Sequence, residues 1–191
     1  ERGGYWRSSD LQWIKLKRIM FVGACNPPTD AGRVPMSTRF LRHCPILFVD
    51  FPAPSSLRQI YGTFNRALLK LAPNLVTFAD AATRTMVDFF TASQKHFTPD
   101  NQPHYIYSPR ELSRWIRAMY EAMHNQDSLM LEEFVRLLVH EGIRIFSDRL
   151  VLTSEKKWTD DTIDQLVMEH FPNIDHSSLA RPILFSNWMH K

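Results

Sequence analysis

Glycine is scarce here: six residues in 191. No G-x-x-x-x-G-K-[ST] run occurs, and no apolar run ends in Asp-Glu. The sequence therefore contains neither a backbone cradle for phosphates nor a carboxylate pair for Mg²⁺. Two cysteines, Cys25 and Cys44, are too few for a disulfide framework or a four-thiolate zinc site, and they point to a reducing, cytosolic setting. The eight histidines fall at no metal-ligand spacing, and His140-Glu141 lacks the second histidine of a zinc-protease helix because Arg144 stands in its place. No stretch approaches the roughly 20 apolar residues of a membrane span. A net charge of +3 is too small to make nucleic acid or an anionic membrane the main partner.

What is present is a globular composition, 44% hydrophobic and 23% charged. Its charge is uneven: residues 1–50 carry a net +4, residues 51–150 a net +1 and residues 151–191 a net −2. The segment Leu16–Ala24 is apolar after a basic start and stops at Cys25-Asn26-Pro27-Pro28, which predicts a buried strand running into a loop. Residues 35–43 predict a brief helix, and Pro45–Asp50 a second buried strand. Two continuous apolar strands joined through a short helix fit part of a parallel α/β sheet. Two strands cannot complete such a sheet, and Glu1-Arg2-Gly3-Gly4 has no initiator Met. The expectation is a segment of a longer chain.

From Pro54 onward the pattern is helical. Ser55 or Ser56 is expected to cap a helix with Leu57, Ile60, Tyr61, Phe64, Leu68 and Leu71 at 3.6-residue spacing, and Pro73 stops it. Asp80 is expected to cap a second helix through Met86, Val87 and Phe90. Ser108-Pro109-Arg110-Glu111 supplies an N-cap Ser, a Pro at the first helical position and a capping-box Glu, ahead of the stripe Leu112, Trp115, Ile116, Met119, Tyr120 and Met123. A fourth helix is expected from near Ser128 to Phe146. These four are enough for a small bundle. One more amphipathic helix is expected from Thr159, with Ile163, Leu166 and Val167.

Three positions could carry chemistry. Asn26 lies at the carboxyl end of a predicted strand, where open α/β sheets place ligand groups, and its amide could hold a water and a phosphate oxygen together. The competing reading is an Asn that starts a turn. Arg39 and Arg42 precede the second strand, and a planar guanidinium suits the charge on a transferred phosphoryl group. The competing reading is a pair of surface arginines. Arg110 sits in the first turn of the capped helix, where free N–H groups and the helix dipole favour an anion that the guanidinium could grip. A solvated Arg is the plain alternative, disfavoured because acidic residues suit that end.

A strand ending in Asn, an Arg-Phe-x-Arg segment and a helical region opened by Ser-Pro-Arg-Glu together resemble the second half of an AAA+ module. The strings FVGACNPPTDAGR, RFLRH, QIYGTFNRALLKL, QPHYIYSPRELSRWIRAMYEAM and RPILFSNW are similar to the cytoplasmic dynein heavy-chain family, at the end of its third AAA+ module and the lead-in to the fourth. Glu1–Ser9 resembles a variable insert hairpin of that family.

The resemblance implies an α/β fold, mainly helical in this segment, with part of an AAA+ parallel sheet followed by a four-helix lid. Residues 1–54 would close the large subdomain, 55–150 form the lid, and 151–191 lead to the next module. It implies that Asn26 is the sensor-1 residue. Arg39, rather than Arg42, would be the arginine finger acting in trans on the preceding module, and Arg110 the sensor-2 residue. It further implies an ATP-driven, minus-end-directed microtubule motor in the cytoplasm. ATP or ADP with Mg²⁺ would be held mainly by residues outside this segment, so the segment alone is expected to be inactive. Expected partners are neighbouring AAA+ modules, accessory chains, a lissencephaly-type regulator and, through a distant stalk, microtubules. Two other readings stand beside it: a non-catalytic helical interaction module, and part of another AAA+ ATPase such as a MoxR-like protein.

Overall fold

The computed structural model of the chain describes residues 3–26, 34–124 and 128–183. They fall into two units, Glu1–Val49 and Asp50–Lys191. In the first, β1 (Gly4–Trp6) and β2 (Trp13–Lys15) pair antiparallel in the register Gly4↔Lys15, Tyr5↔Ile14, Trp6↔Trp13. Arg7 Nε donates to Asp10 Oδ1 at 2.9 Å across the turn, and the Trp6 and Trp13 rings meet edge-on with centroids 5.2 Å apart. Such cross-strand pairs are the unit of hairpin stability. One helical turn comes next, α1 (Thr38–Leu41), capped by Ser37 Oγ accepting from the Phe40 N–H.

The two strands expected at Leu16–Ala24 and Pro45–Asp50 do not form among the described residues. Both segments lack ladder pairing, and their apolar side chains are exposed: Phe21 to 81% and Leu47 to 87%. The physical reason is pairing. An apolar run specifies what a strand would bury, but a parallel strand also needs neighbours for its N–H and C=O groups and cover on both faces. The one ladder described in this unit is the hairpin. The breaker prolines and the polar stretch after them, residues 27–33, lie outside the described residues, as do residues 184–188 of the last string.

The second unit is helical throughout: α2 (Pro54–Leu68), α3 (Ala79–His96), α4 (Pro109–Met123), α5 (Leu131–Phe146) and α6 (Thr153–His170), with short 3₁₀ turns at Leu69–Leu71, Pro73–Phe78 and His176–Leu179. Pro54 opens α2 from Ala53, so neither Ser55 nor Ser56 is its cap. Proline suits that place because its missing N–H would have had no helical partner. Ile60 and Phe64, expected in the buried stripe, face outward. Likewise Asp80 lies in the first turn of α3 rather than capping it from outside. The α6 helix begins six residues before the expected Thr159, because the Glu155 carboxylate accepts the Leu152 N–H at 3.0 Å and closes the first turn.

The core gathers one face of every helix in this unit. Trp115 is fully buried, edge-on to Phe89 and Phe146, and its indole N–H donates to the Leu138 carbonyl at 3.0 Å. Tyr107 stacks on Phe146 with centroids 5.4 Å apart. Residues beyond α5 share this core: Ile163, Val167, Phe171, Ile174, Leu179 and Ile183 are buried in it.

At Gly142, in α5, side chains of α4 and α6 come close to the backbone. A Cβ there would lie 2.4 Å from Trp115 Cζ2 and 2.9 Å from Ile163 Cδ1. Alanine is the better helix former by up to about 1 kcal/mol. Overpacking against a fully buried indole costs about 1–3 kcal/mol, so the clash wins. Gly142→Ala is expected to lower the urea midpoint of unfolding; an unchanged or raised midpoint would show that the indole can move aside.

Candidate functional site

The turn before α4 forms as its residues dictate. The Ser108 N–H and hydroxyl both donate to Glu111 Oε2, at 2.8 and 3.0 Å, and the Arg110 N–H lies 3.4 Å from Ser108 Oγ. The capping box is thus closed on itself. This corrects one sequence expectation: the first-turn donors are largely engaged by Ser108 and Glu111, and Glu111 already sets negative charge at the positive end of the helix. An anion arriving here would meet the Arg110 guanidinium rather than bare N–H groups.

Three further contacts fix this turn. Tyr61, on α2, donates its hydroxyl to the Pro109 carbonyl at 2.6 Å, with the Ser113 hydroxyl 3.0 Å away. Gln94, on α3, donates to the Tyr107 carbonyl at 3.1 Å. Arg149, just past α5, bonds Glu111 Oε1 at 3.1 Å and the Ile106 carbonyl at 3.0 Å, and lies over the Tyr107 ring at 4.7 Å. Arg110 itself is exposed, and its guanidinium has no hydrogen bond or ion pair among the described residues. The backbone is pinned on several sides while the charged tip is left available.

Glu111 is only 5% exposed. Burial pushes its carboxyl up, but the Ser108 N–H, the Arg149 guanidinium and the Ser108 hydroxyl together hold it below the usual carboxylate range. Burial also pushes the Tyr107 hydroxyl up to about 12, against the opposing pull of Arg149. It stays a neutral donor to the Phe146 carbonyl at 3.0 Å.

A depressed carboxyl stabilises the fold above its unfolded value, about pH 4.3, and that contribution is lost as pH falls through the lower folded value. Melting temperatures from pH 6 to pH 3 should therefore fall less steeply in Glu111→Gln than in the parent. Parallel curves would remove Glu111 as a source of the acid sensitivity.

The other predicted residues belong to the first unit. Asn26 is exposed on irregular backbone. Arg39 and Arg42 are brought together at α1, both exposed; Arg42 Nε bonds His43 Nε2 at 3.0 Å, whereas Arg39 makes no side-chain contact among the described residues. Cys25 and Cys44 are free thiols. Among the described residues, no group of His, Cys, Asp or Glu could hold a metal ion and no helix is long and apolar enough to cross a membrane.

Sequence reasoning missed the roles of Tyr61, Gln94 and Arg149. Tyr61 stood in the helical pattern as one more apolar residue, and its partner is 48 positions away. No local signal could have found it.

Residues 64–156 match the family model for the dynein heavy chain ATPase lid domain. The whole chain is 63% identical to a cytoplasmic dynein heavy chain from Dictyostelium discoideum and 56% identical to one from Neurospora crassa. It is 55% identical to that of Drosophila melanogaster. In each case the alignment covers all of this chain and 4% of the relative, so the chain spans a small part of the proteins it matches.

Proposed function

The chain belongs to the dynein heavy-chain family, and we propose that it serves as a nucleotide-reading lid with trans-acting residues beside it. It would be the end of the third AAA+ module of an ATP-driven cytoplasmic microtubule motor, leading into the fourth. Residues 1–54 would close the large subdomain, 55–150 form the lid, and 151–191 lead onward. One observation carries the reading: the turn around Arg110 is pinned at Ser108, Pro109 and Glu111 by Glu111, Tyr61 and Arg149, while the Arg110 guanidinium has no hydrogen bond or ion pair among the described residues. Holding an arginine tip outward from a rigid base suits a group that must meet a terminal phosphate in one geometry.

Bound ATP with Mg²⁺ supplies the phosphoryl group and the charge that these residues answer. Arg110 would contact the terminal phosphate in the pocket of its own module, and Asn26 would orient a water there. Arg39 would reach the nucleotide of the preceding module; that Arg42 is engaged with His43 while Arg39 is not supports this choice. The residues that cradle the phosphates and carry Mg²⁺ would come from elsewhere in the heavy chain. Neighbouring modules, accessory chains, a lissencephaly-type regulator and, through a stalk, microtubules would be its partners. The experiment is Arg110→Ala in an intact heavy chain, with ATP and ADP affinity of the third module as the readout.

A further inference from the structure

Side-chain hydrogen bonds join the Arg110 turn to α2, and α2 through α3 to the far end of α6. Tyr61 holds the Pro109 carbonyl at 2.6 Å. On the same face of α2, three residues earlier, Arg58 Nη2 bonds Asp88 Oδ1 of α3 at 2.6 Å. The other oxygen of that carboxylate, Oδ2, bonds His170 Nε2 at the last position of α6 at 3.2 Å. One carboxylate therefore joins α2 to α6, with one oxygen for each. Asp80, Arg84 and Glu169 line the same groove, and Arg84 is paired with Asp80 at 3.4 Å rather than competing for Asp88.

The link adds to contacts that hold α6 along its length: Trp158 stacks on His96 with centroids 4.0 Å apart, Leu166 and Met168 pack on the core, and Arg181 pairs with Asp164 at 2.9 Å. Three of its residues are fully buried, Thr159, Ile163 and Val167. Its first turn is tied by the Tyr105 hydroxyl to Glu155 Oε2 at 2.6 Å, and its last by His170 and by Phe171, stacked on Phe78. The segment after it folds back on α5, where Arg136 donates to the Ser178 carbonyl at 2.5 Å.

We propose that Asp88 is a positioning residue that couples the Arg110 turn to the carboxyl end of α6, so that nucleotide at Arg110 is felt in the segment that leads onward from the lid. The point of entry rests on the reading of Arg110 given above; the link from α2 to α6 does not. Spatial continuity alone does not establish coupling, so the test must measure it.

The test uses an intact heavy chain and follows amide exchange at residues 167–171 with and without Mg²⁺-ATP. The parent should show a change of about threefold or more on adding ATP. Asp88→Ala and His170→Leu should abolish it, and His170→Gln, which keeps a donor facing Asp88, should retain it. A response that persists in Asp88→Ala, or is missing from the parent, overturns the proposal. So does exchange in Asp88→Ala that rises by the same factor with and without ATP while the ATP-induced ratio survives, since that is only loosened structure. If Arg110→Ala keeps the response and Asp88→Ala loses it, the link stands and the reading of Arg110 falls.

Discussion

Replacing Trp115 by Ala should lower the stability of the Asp50–Lys191 unit by about 3–5 kcal/mol, the range for deleting a buried large aromatic side chain. Three losses coincide. Trp115 is fully buried, so the cavity has no solvent to fill it easily. Two edge-on ring contacts disappear, to Phe89 at 5.9 Å and Phe146 at 5.7 Å, each worth about 0.5–1.5 kcal/mol beyond burial. The hydrogen bond to the Leu138 carbonyl goes as well. Collapse cannot compensate much, because Gly142, the α5 residue beside the indole, has no side chain to move into the space. Domains hold only about 5–15 kcal/mol in total. Trp115→Ala should thus unfold a sizeable fraction of molecules at 37 °C, seen as lost helical circular dichroism at low urea. Trp115→Phe keeps most of the ring and should cost less. A loss below about 1 kcal/mol for Trp115→Ala would mean that the core is not packed as described.

The second large effect concerns ligand rather than fold. Arg110 is exposed and its side chain makes no hydrogen bond, ion pair or ring contact among the described residues, so Arg110→Ala should leave melting temperature nearly unchanged. A charge-assisted hydrogen bond contributes about 1.5–3 kcal/mol, which is about a 10- to 150-fold weakening of ATP binding. Arg110→Lys should recover only part of it, since an ammonium keeps the charge but not the paired N–H geometry. Because Ser108 and Glu111 already engage the first-turn donors, no bare helix terminus stands ready to replace the guanidinium. Separating the two substitutions matters: if Arg110 acts through the ligand while Trp115 acts through the fold, only the Trp115 substitution should move the melting curve.

Local chemistry was legible and distant chemistry was not. The start of α4 was readable to the residue, because the Ser, Pro and Glu that define it lie within four positions and Ser108 and Glu111 bond each other. The start of α6 was misplaced: residues 152–157 have no apolar periodicity, and the turn is held by Glu155 with help from Tyr105, 50 positions away. Ile60 and Phe64 fit the apolar spacing of α2 yet are exposed, since a stripe wider than the neighbouring helix can cover leaves its margin outside. The expected strands show the converse. Their composition is right for burial, but pairing depends on neighbours that a local window cannot see. For the candidate site, residue type and capping pointed to Arg110. The pinning by Tyr61 and Arg149 became visible only with the fold.

The most direct measurement is the ratio of ATP to ADP affinity at the third module of an intact heavy chain, in the parent and in Arg110→Ala. If the guanidinium grips the terminal phosphate, the substitution weakens ATP at least tenfold, leaves ADP within about twofold, and so collapses the preference. Equal weakening of both nucleotides, or of neither, would contradict the account.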